Sequence, residues 1–202
     1  MKKIIFLCVA ILFANTVFAQ FILNRDGFFD SKNRQNRYIV HEIPGKTQQE
    51  LYDACDANFL AMRHTSDLFF DGIPCETITV SQYLPMQVFY GRMFGLDYFM
   101  DLDFAVTFRF KDGKVRVDTP FIKGLFIRGE NTLPNGFTEE TRSYYYLTYD
   151  EYIRSPYGGT VIYNRKGRLK EPKVRASLEE VINGYIFSVL SNISAQTNPD
   201  EW

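Results

Sequence analysis

The chain has 202 residues and a formal net charge of −1, and 16% of its residues are aromatic, including 19 Phe and 13 Tyr. That length suits one domain with a sizeable elaboration. The near-neutral balance excludes the global field that draws a protein to nucleic acid or anionic lipid, and no apolar stretch beyond the first nineteen residues approaches the ~20 that span a bilayer.

Lys2 and Lys3 precede an uninterrupted apolar run from Ile4 to Phe13, and Val17-Phe18-Ala19 sets small or aliphatic residues where a signal peptidase reads. Residues 1–19 are read as a signal peptide. The mature chain is then expected near Gln20, exported and soluble, in the periplasm or outside the cell. Cys8 lies mid-run without small residues before it and the residue directly after the cut is Gln20, not cysteine, so no lipid anchor is expected. Residues 20–35 read as an N-terminal extension and 36–202 as a single α+β domain.

Residues 37–43 read as a strand, stopped by Pro44-Gly45. Thr47 and Glu50 then form a capping box, and Leu51, Ala54, Cys55, Phe59 and Met62 recur at helical spacing, which predicts a helix fading by Ser66. Cys75 to Gln82 is rich in Thr, Ile and Val and reads as a strand. Residues 84–102 are crowded with Met and aromatics, are broken by Gly91 and Gly95, and show no clean period. Phe104, Val106, Phe108 and Phe110 alternate with Asp103, Ala105, Thr107 and Arg109, and Asp112-Gly113 is the dipeptide of a two-residue type I′ turn. That turn sets Phe110 opposite Val115 and Phe108 opposite Val117. Residues 123–175 form an elaboration with short strands expected near Ser143–Tyr149 and Thr160–Tyr163. A second capping box, Ser177 with Glu180, predicts a closing helix with Leu178, Val181, Ile182, Tyr185, Val189 and Ile193 on one face.

The order is strand, helix, antiparallel strands, helix. Both helices carry one apolar stripe, so the expected fold class is α+β, an antiparallel sheet with two helices packed on one face. Three places carry a resemblance: Val40-x-x-x-Pro44-Gly45-Lys46-Thr47-x-x-Glu50-Leu51-Tyr52, the mid-helix aromatic Phe59, and the hairpin Phe104–Val117 with its Lys-Asp-Gly-Lys turn. Over roughly residues 36–122 the chain resembles a family of exported domains of unknown function with a TBP-like fold, common in Bacteroidota. The resemblance implies a fold and a location and no catalytic residue. A TBP-like fold does not imply DNA binding, and a net-acidic exported chain lacks the charge that neutralises phosphates, so no nucleic-acid partner is expected.

Few constellations bear chemistry. Pro44-Gly45-Lys46-Thr47 has Val40 where a phosphate-binding loop needs glycine. His41-Glu42 cannot begin a zincin helix because Pro44 follows, and His64 is the only other histidine. No metal or cofactor is expected. Cys55 and Cys75 are a candidate disulfide in an oxidising compartment, though the helix pattern favours two small buried hydrophobes. Asp97, Asp101 and Asp103 alternate with aromatics rather than glycine and read as solvated or edge-protecting.

The hairpin register places Arg109 opposite Arg116 and Lys111 opposite Lys114, an arrangement of like charges that is destabilising and that an anionic partner would relieve. Asp103, Asp118 and solvent are the alternative relief. Tyr144, Tyr145, Tyr146, Tyr149, Tyr152, Tyr157 and Tyr163 suit either stacking and interface contact or a half-buried strand. Within 84–102, Phe89, Met93 and Phe94 are candidate contacts for self-association or a partner. Together these describe a noncatalytic envelope domain that binds a protein or small-ligand partner, with a homo-oligomer as one outcome. The alternative is a hydrolase acting on cell-envelope or extracellular glycans through carboxylates that only folding assembles.

Overall fold

A computed structural model describes residues 20–63, 67–132, 137–156 and 158–196, with the Met93 side chain excepted. The leader, His64 and Tyr157 lie outside the described residues. Among the described residues, ten strands and three helices follow in chain order: β1 (Phe21–Asn24), β2 (Gly27–Asp30), β3 (Tyr38–Glu42), α1 (Gln48–Arg63), β4 (Leu68–Ile73), β5 (Thr77–Met93), β6 (Leu96–Lys111), β7 (Lys114–Asp118), β8 (Phe121–Thr132), β9 (Thr138–Tyr146), α2 (Tyr149–Arg154), β10 (Gly159–Val161) and α3 (Pro172–Gln196).

The class is α+β with strands predominating, and the sheet is larger than two helices on an antiparallel platform would require. Eight strands join it in the order β10-β9-β8-β6-β5-β4, with β7 and then β3 attached to the far half of β6. It is also mixed, because β10 runs parallel to β9. Strand β6 is the spine. Its residues 101–105 pair with β8, and its residues 108–111 pair with β7.

Period-two alternation along β6 sorts the two faces. Met100, Leu102, Phe104, Val106, Phe108 and Phe110 are buried beneath α1 and α3. Tyr52 and Phe59 of α1 meet Phe110 and Phe108 with ring centroids 5.6 and 5.7 Å apart, and Tyr185 of α3 meets Phe104 at 5.1 Å. The two long helices therefore share one face, as the apolar stripes predict. Asn58 of α1 accepts from Asn192 of α3 at 2.9 Å, so the helices are also tied to each other.

The first capping box forms as predicted. Thr47 N donates to Glu50 Oε2 at 2.8 Å and Glu50 N donates to Thr47 Oγ1 at 3.2 Å. The bonds from Thr47 also hold the Glu50 carboxyl below its usual range. The second does not form. Helix α3 begins at Pro172, whose ring pre-sets the dihedral of a first helical position, five residues before Ser177. Ser177 Oγ instead accepts from Phe89 N at 2.8 Å and joins the helix to β5.

Residues 21–30 form a two-stranded hairpin laid on α3, with Phe21, Leu23 and Phe28 buried. Asn183 accepts from Phe21 N at 2.8 Å and donates to Phe21 O at 2.9 Å, and Glu179 accepts from Leu23 N at 2.7 Å. Two strand residues span ~6.8 Å and one helical turn ~5.4 Å, so side chains at i and i+4 of a helix can serve a strand edge at i+2 and i. Tyr163 of the 162–170 loop caps the contact by donating to Leu23 O at 2.8 Å.

Asp112-Gly113 gives the predicted register, Phe110 with Val115 and Phe108 with Val117. The turn is not type I′, because only Gly113 takes positive φ, at 72°. Tertiary contacts set it: Asp112 Oδ1 accepts from Gln48 N at 2.8 Å, and Gly113 bonds Lys46 O and Ile43 N. Replacing Gly113 by alanine should cost about 1–2 kcal/mol, the penalty of a side chain in the left-handed region, read as a shift in the urea midpoint.

Candidate functional site on the open face of the sheet

The face of β6 turned away from α1 and α3 carries Asp97, Phe99, Asp101, Asp103, Ala105, Thr107, Arg109 and Lys111. Its centre of chemistry is Asp101. Opposite it, β5 bulges: Leu84 pairs with Leu102 and Val88 with Met100, so Pro85, Met86 and Gln87 face one residue of β6. Met86 bends through φ 52° to make that detour. Asp101, 2% exposed, satisfies the groups the bulge frees. It accepts from Met86 N at 2.9 Å and from the Tyr83 hydroxyl at 2.5 Å, and it pairs with Arg128 Nε at 2.5 Å.

Arg128 lies directly across β8 and β9 from Arg142, and Glu130 lies across from Glu140. Arg142 donates from Nε to Glu140 at 2.9 Å and rests over the Phe126 ring at 4.8 Å. Burial and the Asp101 bond raise the Tyr83 pKa, and the charges of Arg128 and Arg142 oppose that rise. A groove of about 770 Å³ opens along this network, lined by Met86, Leu96, Phe99, Arg128, Glu130 and Glu140 among others.

A second groove of about 480 Å³ lies between β8, β9 and α2, with Phe121, Lys123, Tyr144, Tyr146 and Arg154 in its wall. Between the grooves runs a chain of rings. Phe126 meets Tyr144 at 5.6 Å, Tyr144 stacks on Tyr146 at 6.3 Å, and Tyr146 meets Tyr152 at 5.9 Å. The Tyr-rich segment is thus divided by strand alternation: Tyr145 is buried in the core while Tyr144 and Tyr146 are half-buried on the open side.

Most carboxylates along the first groove are already engaged. Asp97 accepts from Nε and Nη2 of Arg92, at 2.6 and 3.1 Å, and that pairing holds its pKa low. Beyond the groove on the same face, desolvation raises the Asp103 pKa against the pull of Lys123. Among the described residues, no group of three or more His, Cys, Asp or Glu is placed to hold a metal ion. His41 stands apart on β3, its pKa lowered by burial, with Ser194 Oγ at 3.5 Å.

The four hairpin cations fall in the predicted register, Arg109 with Arg116 and Lys111 with Lys114. Asp118 bridges the arginines, accepting from each Nε at 2.6 Å, and Arg116 also covers the Tyr38 ring at 4.0 Å. Relief of the like charges therefore comes from Asp118, while Asp103 sits beside Lys123 instead. Asp118→Asn should lower stability by about 0.5–1 kcal/mol at low ionic strength. The loss should shrink in ~1 M salt, where the Debye length is about 3 Å, in paired thermal melts.

Phe94 is fully exposed at the tip of the β5–β6 hairpin, where Phe94 and Gly95 both take positive φ, 51° and 81°. Phe89 is half-buried and packs on Phe99 with centroids 5.7 Å apart. The Met93 side chain lies outside the described residues. Asn is the residue that a turn with two positive φ angles prefers. Phe94→Asn should therefore leave the melting temperature unchanged or slightly raised, which would mean that this phenylalanine is not kept for folding.

Cys55 and Cys75 are both free rather than bridged. Cys55 is completely buried on α1, and burial pushes its thiol pKa well up. Cys75 is not a buried hydrophobe: it sits half-exposed at φ 64° in the turn before β5, its Sγ 2.7 Å from Gln49 Oε1. In protein lacking the first nineteen residues, a thiol reagent should label Cys75 natively and Cys55 only after denaturation.

No protein-family model and no curated protein matches this chain. Two solved structures are similar to it. One is a TBP-like protein from Parabacteroides distasonis, 12% identical over 77% of this chain and 90% of that one, with a TM-score of 0.45. The other is a DUF4468 family protein from Bacteroides ovatus, 14% identical over 82% of this chain and 87% of that one, with a TM-score of 0.40. The sequence resemblance names the same kind of protein, a TBP-like domain of Bacteroidota. Neither structure gives any residue of this chain a role.

Proposed function

We propose that this chain is a noncatalytic, exported binding module that presents the open face of its sheet and the β5–β6 tip to a partner in the cell envelope. The observation that carries this reading is exposed apolar area there. Phe69, Phe94 and Phe121 are 65%, 100% and 67% exposed, although the core beneath α1 and α3 is already filled. Scattered single residues of this kind are ordinary, whereas a set on one face marks an interaction surface. The leader motivates the location. Among the described residues, no helix is long and apolar enough to cross a membrane.

Site-specific photo-crosslinking in the native host tests this. A crosslinker at position 94 or 121 should give discrete adducts, and one at the half-exposed Phe187 of α3 should give none. Equal labelling at all three positions removes the reading.

One observation favours the hydrolase as a second reading. Asp103, with its raised pKa, lies two residues from Asp101 on the same face, ~7 Å along a strand, within the ~6.5–9.5 Å of an inverting carboxylate pair. Against it, Asp101 is committed to three donors. Turnover of an envelope-glycan panel that Asp103→Asn abolishes would replace the binding reading with this one.

A further inference from the structure

We propose that Gln20 is a modification site: once the leader is removed, its α-amine closes on its own side-chain amide, and the chain begins with a pyroglutamyl lactam that shields the β1–β2 hairpin from aminopeptidases. This rests on the export reading, which sets the cut between Ala19 and Gln20. The chemistry is contained in one residue. The α-nitrogen attacks Cδ and forms the N–Cδ bond of a five-membered ring. The Cδ–Nε2 bond breaks, and Nε2 takes a proton from the attacking nitrogen and leaves as ammonia. Amine and amide sit in one residue, so the step is intramolecular and needs no co-reactant. A terminal α-amine is also the least basic amine of a chain, so part of it is neutral and nucleophilic near neutral pH.

The fold uses the rest of Gln20 and leaves these two groups unengaged. Its carbonyl accepts from Ser31 N at 2.8 Å, which extends the β1–β2 ladder by one pair. Its side chain is exposed, and among the described residues neither the side chain nor the backbone nitrogen makes a hydrogen bond. Ring closure consumes the amine and the side-chain amide and keeps the carbonyl, so it breaks no contact of the fold. One residue later the situation is reversed. Phe21 N and O are both held by Asn183, at 2.8 and 2.9 Å, and the Phe21 ring is buried edge-on to Phe28 with centroids 6.4 Å apart.

That anchoring gives the ring its purpose. Strand β1 begins directly after Gln20, so no slack separates the terminus from a buried side chain. An aminopeptidase engages a free α-amine and removes residues one at a time. Its second turnover would take Phe21, and with it both bonds to Asn183. The hairpin end is the kind of segment that opens locally and admits such attack. A lactam has no free α-amine and stops the enzyme before its first turnover.

Intact-mass measurement and Edman sequencing of the full chain, expressed in its native host and read as soon as it is purified, test the proposal. The expected mass is that of the chain from Gln20 less one ammonia, with no residue released by Edman chemistry. Gln20→Asn keeps an amide but is one methylene short, and closure would need a four-membered ring. It should be cut at the same bond, carry its full mass and melt with the parent protein. Added aminopeptidase should then shorten the Asn variant and leave the parent whole. A chain that begins at an open Gln20 overturns the proposal and leaves the export reading standing. A chain that keeps the leader, or begins at another residue, overturns both. Equal trimming or equal resistance of the two proteins overturns the shielding.

Discussion

Phe59→Ala should destabilise the fold by about 3–5 kcal/mol, the range for deleting a buried phenylalanine. At about 2–4 °C per kcal/mol for a domain of this size, the melting temperature should fall by roughly 6–20 °C. Phe59 is completely buried, with its ring 5.7 Å from Phe70 of β4 and 5.7 Å from Phe108 of β6. It therefore fastens α1 to the spine strand and to a strand two places away. Little is available to fill the space. The neighbouring interior is a sheet face fixed by hydrogen bonding, and Cys55 one turn earlier is fully enclosed as well. Leu60, the next residue, is 46% exposed and is the natural control; Leu60→Ala should stay within about 0.5 kcal/mol. Urea unfolding followed by circular dichroism, with unchanged slopes, measures both. Equal losses at the two positions would mean that α1 presents a different face to the sheet.

Legibility in the sequence followed how local the determinants are. The capping box at Thr47 and the stripe through Phe59 are set within one helix, and both stand in the structure. The 103–117 register needs only alternation and a two-residue loop, and it stands too. Its turn type does not, because Gln48, Lys46 and Ile43 bind the tip from outside the hairpin. The turn with two positive φ angles is Phe94-Gly95, where the sequence gives no Asn or Asp to announce it.

Residues 84–102 show no period because they cross the turn between β5 and β6 and because β5 is bulged twice, at Leu84/Val88 and again at Phe89/Gly91. The first inserts two residues and leaves Val88 on the core face with Leu84, whereas the second inserts one and moves every later side chain of β5 to the other face. The hairpin cations were readable as a register, but their neutralisation by Asp118 depends on side-chain reach. The Asp101 network was not readable at all. Its members Tyr83, Met86, Asp101 and Arg128 come from β5, β6 and β8, and they meet only because of a bulge that no local pattern marks. Asp101 itself, expected as a solvated or edge-protecting carboxylate, is the most enclosed charge on that face among the described residues.

Asp101→Ala is expected to cost about 3 kcal/mol, the low end of the range for breaking a buried pair, because Arg128 keeps access to water. Only 3% of the Asp101 side chain is exposed, against 44% for Arg128. The loss would arise chiefly from Met86 N and the Tyr83 hydroxyl, each left without its acceptor beneath the bulge, at about 1–3 kcal/mol for an unsatisfied buried group. Graded variants separate these contributions. Asp101→Asn keeps an acceptor for Met86 N and should lose about half as much. Arg128→Ala should lose about 1 kcal/mol, since it removes a solvent-reaching partner and leaves the two other donors in place. Tyr83→Phe should fall near the same value. Melting curves for the four variants give the ranking, with Asp101→Ala lowest. The open face should register the change as well: once Asp101 is gone nothing holds Arg128 at Nε, and it is free to turn toward Glu130, which lines the same groove. If Asp101→Ala melts with the parent protein, the carboxylate does not maintain the bulge, and its enclosure would have to be explained by what the groove binds.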